Sequence, residues 1–423
     1  MPGEPARVYA SAASDPAAPG LKGRLRRAER ARTYRALALV LPLALFLGLT
    51  FFAPIGQMLW RGIHDPELAT TLPSTAAALR NWDGIGAPPA TVAAALVGEL
   101  PRAFADRTLA GVAQRLNHDI SGFRSLILST GRRLSQDRGA DTADPAARLA
   151  AIDPRWTEAD YWAALRRASF SVTDFYLLAA LDLRRDGADR VVAVPPEEAI
   201  FVTVLGRTLT IAAVVTLLCL VLGYPLAYLV ATAPAGTSNL LMILILLPFW
   251  TSLLVRTSAW VVLLQNEGVL NGLLLAAGVI DQPAQMIFNR FGVYVAMTHV
   301  LLPFMILPLY SVMQTINPAT MRAAASLGAP PATAFLRIYL PQSLPGIGAG
   351  GLLVFILAIG YYITPALVGG ANDQMVSYFI AFYTTRTVNW GLAAALATLL
   401  LAATAVLYAV YVRIAGSAGV RLG

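Results

Sequence analysis

Six apolar runs, at residues 37–60, 208–230, 240–264, 292–313, 346–368 and 391–412, constrain this chain more than anything else in it. A helix rises about 1.5 Å per residue, so about 20 residues cross the hydrocarbon core of a bilayer, and each run is long enough. The composition agrees: 57% of the residues are hydrophobic and 13% charged, against about 25% charged in a soluble globular domain. The expectation is an all-α polytopic membrane protein with six transmembrane helices. The first run exceeds a signal-peptide apolar core in length and no small-residue cleavage pattern follows it, so it is expected to remain as an anchor. Cys219 is the single cysteine, which removes intrachain disulfides and cysteine metal clusters.

Basic residues near the segment ends set the expected orientation. Residues 1–36 hold Arg7, Lys22, Arg24, Arg26, Arg27, Arg30, Arg32 and Arg35 against Glu4, Asp15 and Glu29, which places the N-terminus in the cytoplasm. Six crossings return the C-terminal tail, residues 413–423 with Arg413 and Arg421, to the same side. The segments 61–207, 265–291 and 369–390 then face outside. Anionic lipid and this orientation rule account for the net charge of +8, and no nucleic-acid partner is expected.

The insert between the first two runs, residues 61–198, carries 16 arginines and 18 acids and reads largely as amphipathic helix. Pro88-Pro89, Asp153-Pro154 and Pro195-Pro196 divide it into blocks. Its histidines are His64 and His118, and it shows no metal-binding spacing, GxSxG or cysteine nucleophile. A helical extracytoplasmic cap that packs on the membrane core or meets a partner is expected, with no catalytic residue and no metal.

Ionisable side chains inside lipid are costly, so the few present are informative. Arg207 and Arg256 are expected near the outer ends of the second and third spans, where they can snorkel. His299 lies about two turns into the fourth span, where it either lines a pathway or hydrogen-bonds between packed helices. No span carries an arginine every third residue or a pair of acids, which removes a voltage sensor and a proton relay.

Between the fourth and fifth runs stands MRAAASLGAPPATAFLRIYLPQSLPG, residues 321–346. Asn317 can cap a helix whose first position suits Pro318, and Gly328 supplies a left-handed stop. Pro330-Pro331 is expected to start a second helix, 332–340, ended by Pro341. Phe335, Ile338 and Tyr339 make an apolar stripe on it, ready for a partner's groove.

The spacing of this loop resembles the EAA signature of ABC importer permeases: Ala323, Ala324, Gly328, Ile338, Leu340 and Pro341 match, while Arg322 stands where the family usually has glutamate. The resemblance extends from residue 207 to the C-terminus. RTLTIAAVVTLLCLVLGYPLAYLVA, RTSAWVVLLQNEGVLN, LLPFMILPLYSVM and GYYITPALVGG are similar to the spermidine/putrescine branch. It implies the type I ABC importer permease fold: a five-helix core at 208–412 with a cytoplasmic coupling loop at 314–345, after the tail, the first span and the insert. Pro225 and Pro303 permit helix bends, and the glycines at 346, 348, 350 and 351 permit close packing.

The resemblance further implies a bacterial inner-membrane subunit that forms half of a pathway, and assigns ATPase docking to Arg322, Ala323, Ala324, Gly328, Ile338, Leu340 and Pro341. The expected partners are two ATP-binding subunits, a second, related permease chain and an extracytoplasmic solute-binding protein. The chain lacks a GxxxxGK[ST] phosphate loop, so it is expected to hold no cofactor while its partners use ATP. Polyamines or related cationic or amino compounds are the implied substrates, with His299 and Glu267 as pathway candidates and Glu267, Asp281 and Asp373 as acids in outer loops. Two other classes stay open: a secondary carrier, and a membrane-anchored assembly or signalling protein that works through its insert.

Overall fold

The computed structural model describes residues 34, 38–84, 86–136, 144–187 and 189–419, with side chains as far as Arg413. The basic tail read over residues 1–36 therefore lies, apart from Tyr34, outside the described residues, as does Arg421. The chain divides into two units at Met58, described separately. Among the described residues six helical runs are long and apolar enough to cross a membrane: Ala38–Arg61, Phe201–Thr232, Leu253–Ala276, Arg290–Thr315, Pro331–Gly360 and Trp390–Arg413. Ala38–Arg61 buries none of its apolar side chains, as a helix made for lipid does.

In the second unit the helices Phe201–Thr232, Arg290–Thr315 and Pro331–Gly360 pack against one another. Ile211, Val215, Cys219, Met297, Leu301, Met305, Leu309 and Val354 fill the space between them, all fully or almost fully buried. Gly350 sets the distance of approach: a Cβ there would lie 2.9 Å from the Met305 sulfur and 3.0 Å from the Met305 carbonyl oxygen, closer than non-bonded atoms settle. Hydroxyls join the helices as well. Tyr224 Oη lies 2.9 Å from Ser343 Oγ, and Thr208 Oγ1 accepts the Val376 N–H at 2.9 Å.

The expected third span, 240–264, is not one helix. Ala235–Leu246 gives way to a 3-10 turn, Leu247–Trp250, and a new helix starts at Leu253 with the Ser252 hydroxyl accepting the Val255 N–H at 3.2 Å. Pro248 lacks the N–H an α-helix would need, and the capping serine restarts the chain. Arg256 consequently sits in the first turn of Leu253–Leu264 and not near its far end. A turn at residues 265–268 then leads to Val269–Ala276.

The insert forms its own core. Helices Pro73–Arg80, Ala90–Ala105, Leu109–Asp119, Phe123–Gln136 and Ala159–Ala168 bury Leu79, Leu96, Leu116, Phe123, Trp156 and Trp162 among them. Trp156 Nε1 donates to Thr130 Oγ1 at 2.9 Å and Trp162 Nε1 to the Trp156 carbonyl at 2.8 Å, so both indoles are satisfied. The insert is not wholly helical: Leu183–Arg185 pairs antiparallel with Val191–Ala193. Asp182, at the base of this hairpin, accepts the N–H groups of Ile200, Phe201 and Val202 at 3.1, 2.9 and 2.7 Å. A carboxylate from the insert thus caps the positive end of the long helix Phe201–Thr232.

Candidate functional site

The loop between the fourth and fifth spans begins as its sequence requires. Asn317 Oδ1 accepts the Ala319 N–H at 2.9 Å, Pro318 occupies the first turn of Pro318–Ser326, and Gly328 takes φ +80° with open space around it. A side chain at this left-handed position would be strained whatever room it had.

Beyond Gly328 the chain departs from expectation. Pro341 does not end a helix. Pro331–Ala334, a π turn at Phe335–Tyr339 and Leu340–Gly360 form one continuous helical run. In the π turn the Leu340 N–H reaches back five residues to the Phe335 carbonyl. The wider turn shifts the backbone pairing just where Pro341 has no N–H to offer, so the proline is accommodated without a break.

The apolar stripe is also spoken for. Phe335 stands edge-on to Tyr224 and Tyr228, with ring centroids 6.0 and 5.7 Å apart, and Tyr339 stands edge-on to Tyr228 at 5.1 Å. These rings pack on this chain's own Phe201–Thr232 helix and are not free for a partner's groove. Ala324 is buried, and Ile338 and Leu340 are half-buried. Arg322, Ala323, Gly328 and Pro341 are exposed. The same surface includes two residues that the sequence reading missed: Leu327, 88% exposed, and Leu336, 58% exposed. A leucine just past the end of a helix and before a left-handed glycine has no helix face left to pack it, which is the signal that would have found Leu327.

The two pathway candidates fall at different depths. His299, on Arg290–Thr315, accepts at Nδ1 from Trp260 Nε1 at 3.2 Å, with the two rings edge-to-face at 5.5 Å. This contact ties the fourth span to the helix Leu253–Leu264. Glu267 lies in the turn that follows that helix and is exposed. Asp373, read as a solvated loop acid, is buried instead: Oδ1 accepts from Arg290 Nε at 3.0 Å and Oδ2 from the Gly370 N–H at 3.1 Å. Its charge is consumed in holding that loop, so it offers none to a passing cation. Nearby, Arg207 Nη1 donates to the Gln374 carbonyl at 3.2 Å. Among the described residues no group of three or more His, Cys, Asp or Glu side chains is arranged to hold a metal.

A family model described as binding-protein-dependent transport system inner membrane component matches residues 220–417, which contain the whole loop. Over 196 residues the chain is 38% identical to the spermidine/putrescine transport system permease protein PotB of Escherichia coli (strain K12), covering 46% of this chain and 71% of that protein. The protein of the same name from Haemophilus influenzae is 34% identical over 214 residues, covering 51% of this chain and 75% of its own length. Among solved structures, a chain of the bacterial alginate ABC transporter in complex with alginate pentasaccharide-bound periplasmic protein superposes with a TM-score of 0.43. It is 18% identical, over 51% of this chain and 77% of that one.

Proposed function

We propose, because this chain belongs to the binding-protein-dependent inner-membrane permeases of ABC importers, that it forms half of a translocation pathway whose driving ATPase docks on the loop around Gly328. It is a multi-pass inner-membrane transport subunit; the orientation, with both termini in the cytoplasm, is part of the proposal. Its partners in this reading are two ATP-binding subunits, a second and related permease chain, and an extracytoplasmic solute-binding protein. ATP is consumed by the partners, and this chain holds no cofactor.

The observation that carries the reading is the exposure of Arg322, Ala323, Leu327, Gly328 and Leu336 on a loop inside the matched region. Two exposed leucines beside small residues give a partner an apolar anchor and let its backbone come close. The continuous helix Pro331–Gly360 gives the contact a consequence. A push on the loop enters the fifth span through rigid backbone, and the Phe335 and Tyr339 rings pass it to Phe201–Thr232. Closure and opening of the ATPase pair would in this way switch the core between two arrangements. Arg322 fits a complementary acid on the ATPase surface.

Polyamines or related amino compounds are the proposed cargo, resting on the 38% identity to the E. coli relative named for spermidine and putrescine. Glu267, exposed beside the span that carries Trp260, is the acid placed to meet such a cation, and His299 is its deeper candidate partner.

The test is ATPase activity of the reconstituted complex with and without liganded binding protein, comparing wild type with Leu327→Arg and Gly328→Trp. Leu327→Arg alters an exposed side chain and leaves the fold alone. Loss of stimulation and of ATPase co-purification in both variants is the expected result. Full stimulation with Leu327→Arg would overturn the docking assignment.

A further inference from the structure

Glu267 is exposed, yet the turn that carries it is built from buried parts. Gly268, the next residue, is buried. A Cβ there would lie 2.6 Å from the Val262 and Leu263 carbonyl oxygens and 2.8 Å from that of Gln265, closer than non-bonded atoms settle. The Gln265 carbonyl accepts two N–H groups, from the Gly268 backbone at 2.8 Å and from Asn271 Nδ2 at 3.0 Å. The turn is therefore packed tightly against the end of Leu253–Leu264.

Asn271, on Val269–Ala276, is fully buried and reaches in two directions. Besides serving Gln265, Nδ2 donates to the Ala284 carbonyl at 2.9 Å, and Oδ1 accepts the Ala284 N–H at 2.8 Å. Both donors of the amide are used, and one of its acceptor positions. Ala284 opens the segment that leads into the fourth span. Met286 and Ile287 are buried there with Leu264 and Val368, the Phe288 N–H donates to the Val368 carbonyl at 2.8 Å, and Asn289 Oδ1 caps Arg290–Thr315 by accepting the Gly292 N–H at 3.0 Å. His299 stands on that helix. Asn271 thus links the turn of Glu267 to the helix of His299, and with the Trp260–His299 bond it makes a second tie between the same two parts of the core.

Building on the reading that Glu267 meets the cargo, we propose that Asn271 is a positioning residue for transport. It fixes Glu267 relative to His299, so that a carboxylate on one element and an imidazole on the other act on an amino-bearing cargo as one station. The chemistry of the site asks for an amide. Two carbonyls and one N–H converge on this side chain, a set that needs two donors and an acceptor together. Leucine would leave all three backbone groups unpaired. Aspartate would oppose the two carbonyls and would add a charge competing with Glu267 for a cation, whereas the asparagine amide is neutral.

The test uses the complete complex in proteoliposomes, with liganded binding protein and spermidine as the probe, and reads spermidine taken up per ATP hydrolysed. Asn271→Ser stays neutral but has one donor for two carbonyls, and Glu267→Gln removes the charge while leaving the turn. Each is expected to lower uptake per ATP by about two- to fivefold, the size of an exposed charge contact, with binding-protein-stimulated ATPase near the wild-type rate. The double variant is expected to lose no more than the more affected single variant, because Asn271 acts through Glu267. Losses that multiply in the double variant overturn the proposal and leave the reading of Glu267 standing. The same holds for Asn271→Ser with wild-type uptake per ATP, whatever its total activity, since a purely structural amide would change the total and not the ratio. Glu267→Gln with wild-type uptake per ATP, or no spermidine uptake by the wild-type complex, overturns the cargo reading and this proposal with it. If Asn271→Ser does not assemble, Ala284→Pro takes its place in the cycle under the same criteria: it deletes the N–H that Asn271 accepts, in an exposed residue.

Discussion

The Tyr228 and Phe335 rings meet edge to face with centroids 5.7 Å apart, and through this contact the loop that leaves the fourth span is fixed to the second. Phe335 is half-buried and also faces Tyr224 and Tyr339. Phe335→Ala is therefore expected to destabilise the core by about 2 kcal/mol. A double-mutant cycle with Tyr228→Ala, followed by thermal unfolding, should return a coupling of about 1 kcal/mol. Additive effects would show that the rings are neighbours without mutual stabilisation.

Gly350 allows a close helix approach in the core. A methyl group there meets the Met305 sulfur and carbonyl oxygen at 2.9 and 3.0 Å, whereas one at Gly351 finds only the Thr216 methyl at 3.9 Å. Gly350→Ala is expected to lower the unfolding midpoint by several degrees, equivalent to about 1–3 kcal/mol of overpacking. Gly351→Ala, one residue away, is expected to be neutral or stabilising because alanine is the better helix former. Equal behaviour of the two would contradict the packing described.

Glu99 caps a helix from a distance. Its carboxylate accepts the Ser74 N–H at 2.8 Å and the Thr75 N–H and hydroxyl at 2.9 and 2.7 Å, at the start of Pro73–Arg80. Burial alone would raise this carboxyl, but the hydrogen bonds from Thr75 and Ser74 outweigh it and hold it below its ordinary value. A depressed acid adds stability above its ordinary pKa, and that stability is lost as pH falls through the depressed value. Glu99→Ala is expected to cost the insert about 1 kcal/mol at neutral pH and to flatten the acid limb of its unfolding profile below about pH 4.5.

His118 works in the opposite range. Burial, followed by the nearby Arg115 charge, pushes its imidazole below the ordinary value, with Asp65 opposing. The unfolded chain then binds the proton more readily than the folded one, so stability falls as pH drops through about 6.5 and levels off once the depressed folded value is passed. Thermal midpoints measured between pH 7.5 and 5.5 should decline for the wild type and decline less for His118→Gln. A parallel decline in both would assign the pH sensitivity to other groups.

The number of spans, the insert and the Asn317 and Gly328 punctuation were legible in the sequence, because length, apolarity and backbone freedom are local properties. The features it concealed depend on tertiary partners. Pro341 reads as a stop, yet a π turn five residues long absorbs it. The stripe at Phe335 and Tyr339 reads as a free face, but nothing in its spacing names Tyr224 and Tyr228 as the surface that fills it. Asp373 reads as a loop acid, while Arg290, 83 positions away in the chain, takes its charge. The third apolar run reads as continuous because Pro248 and Ser252 sit among residues apolar enough to mask the restart. Leu336 was passed over for a different reason: its exposure becomes visible only once the rings of Phe335 and Tyr339 have turned inward.

The π turn at Phe335–Tyr339 also fixes a phase. It holds one residue more than an α turn would, and each residue of an α-helix corresponds to about 100° of rotation. The face that Gly346 and Gly350 turn toward Arg290–Thr315 is thus chosen by a single surplus residue ten positions earlier. The loop and the fifth span are parts of one shaft, keyed at one place, and removing the key would leave both ends helical while aiming the glycines elsewhere.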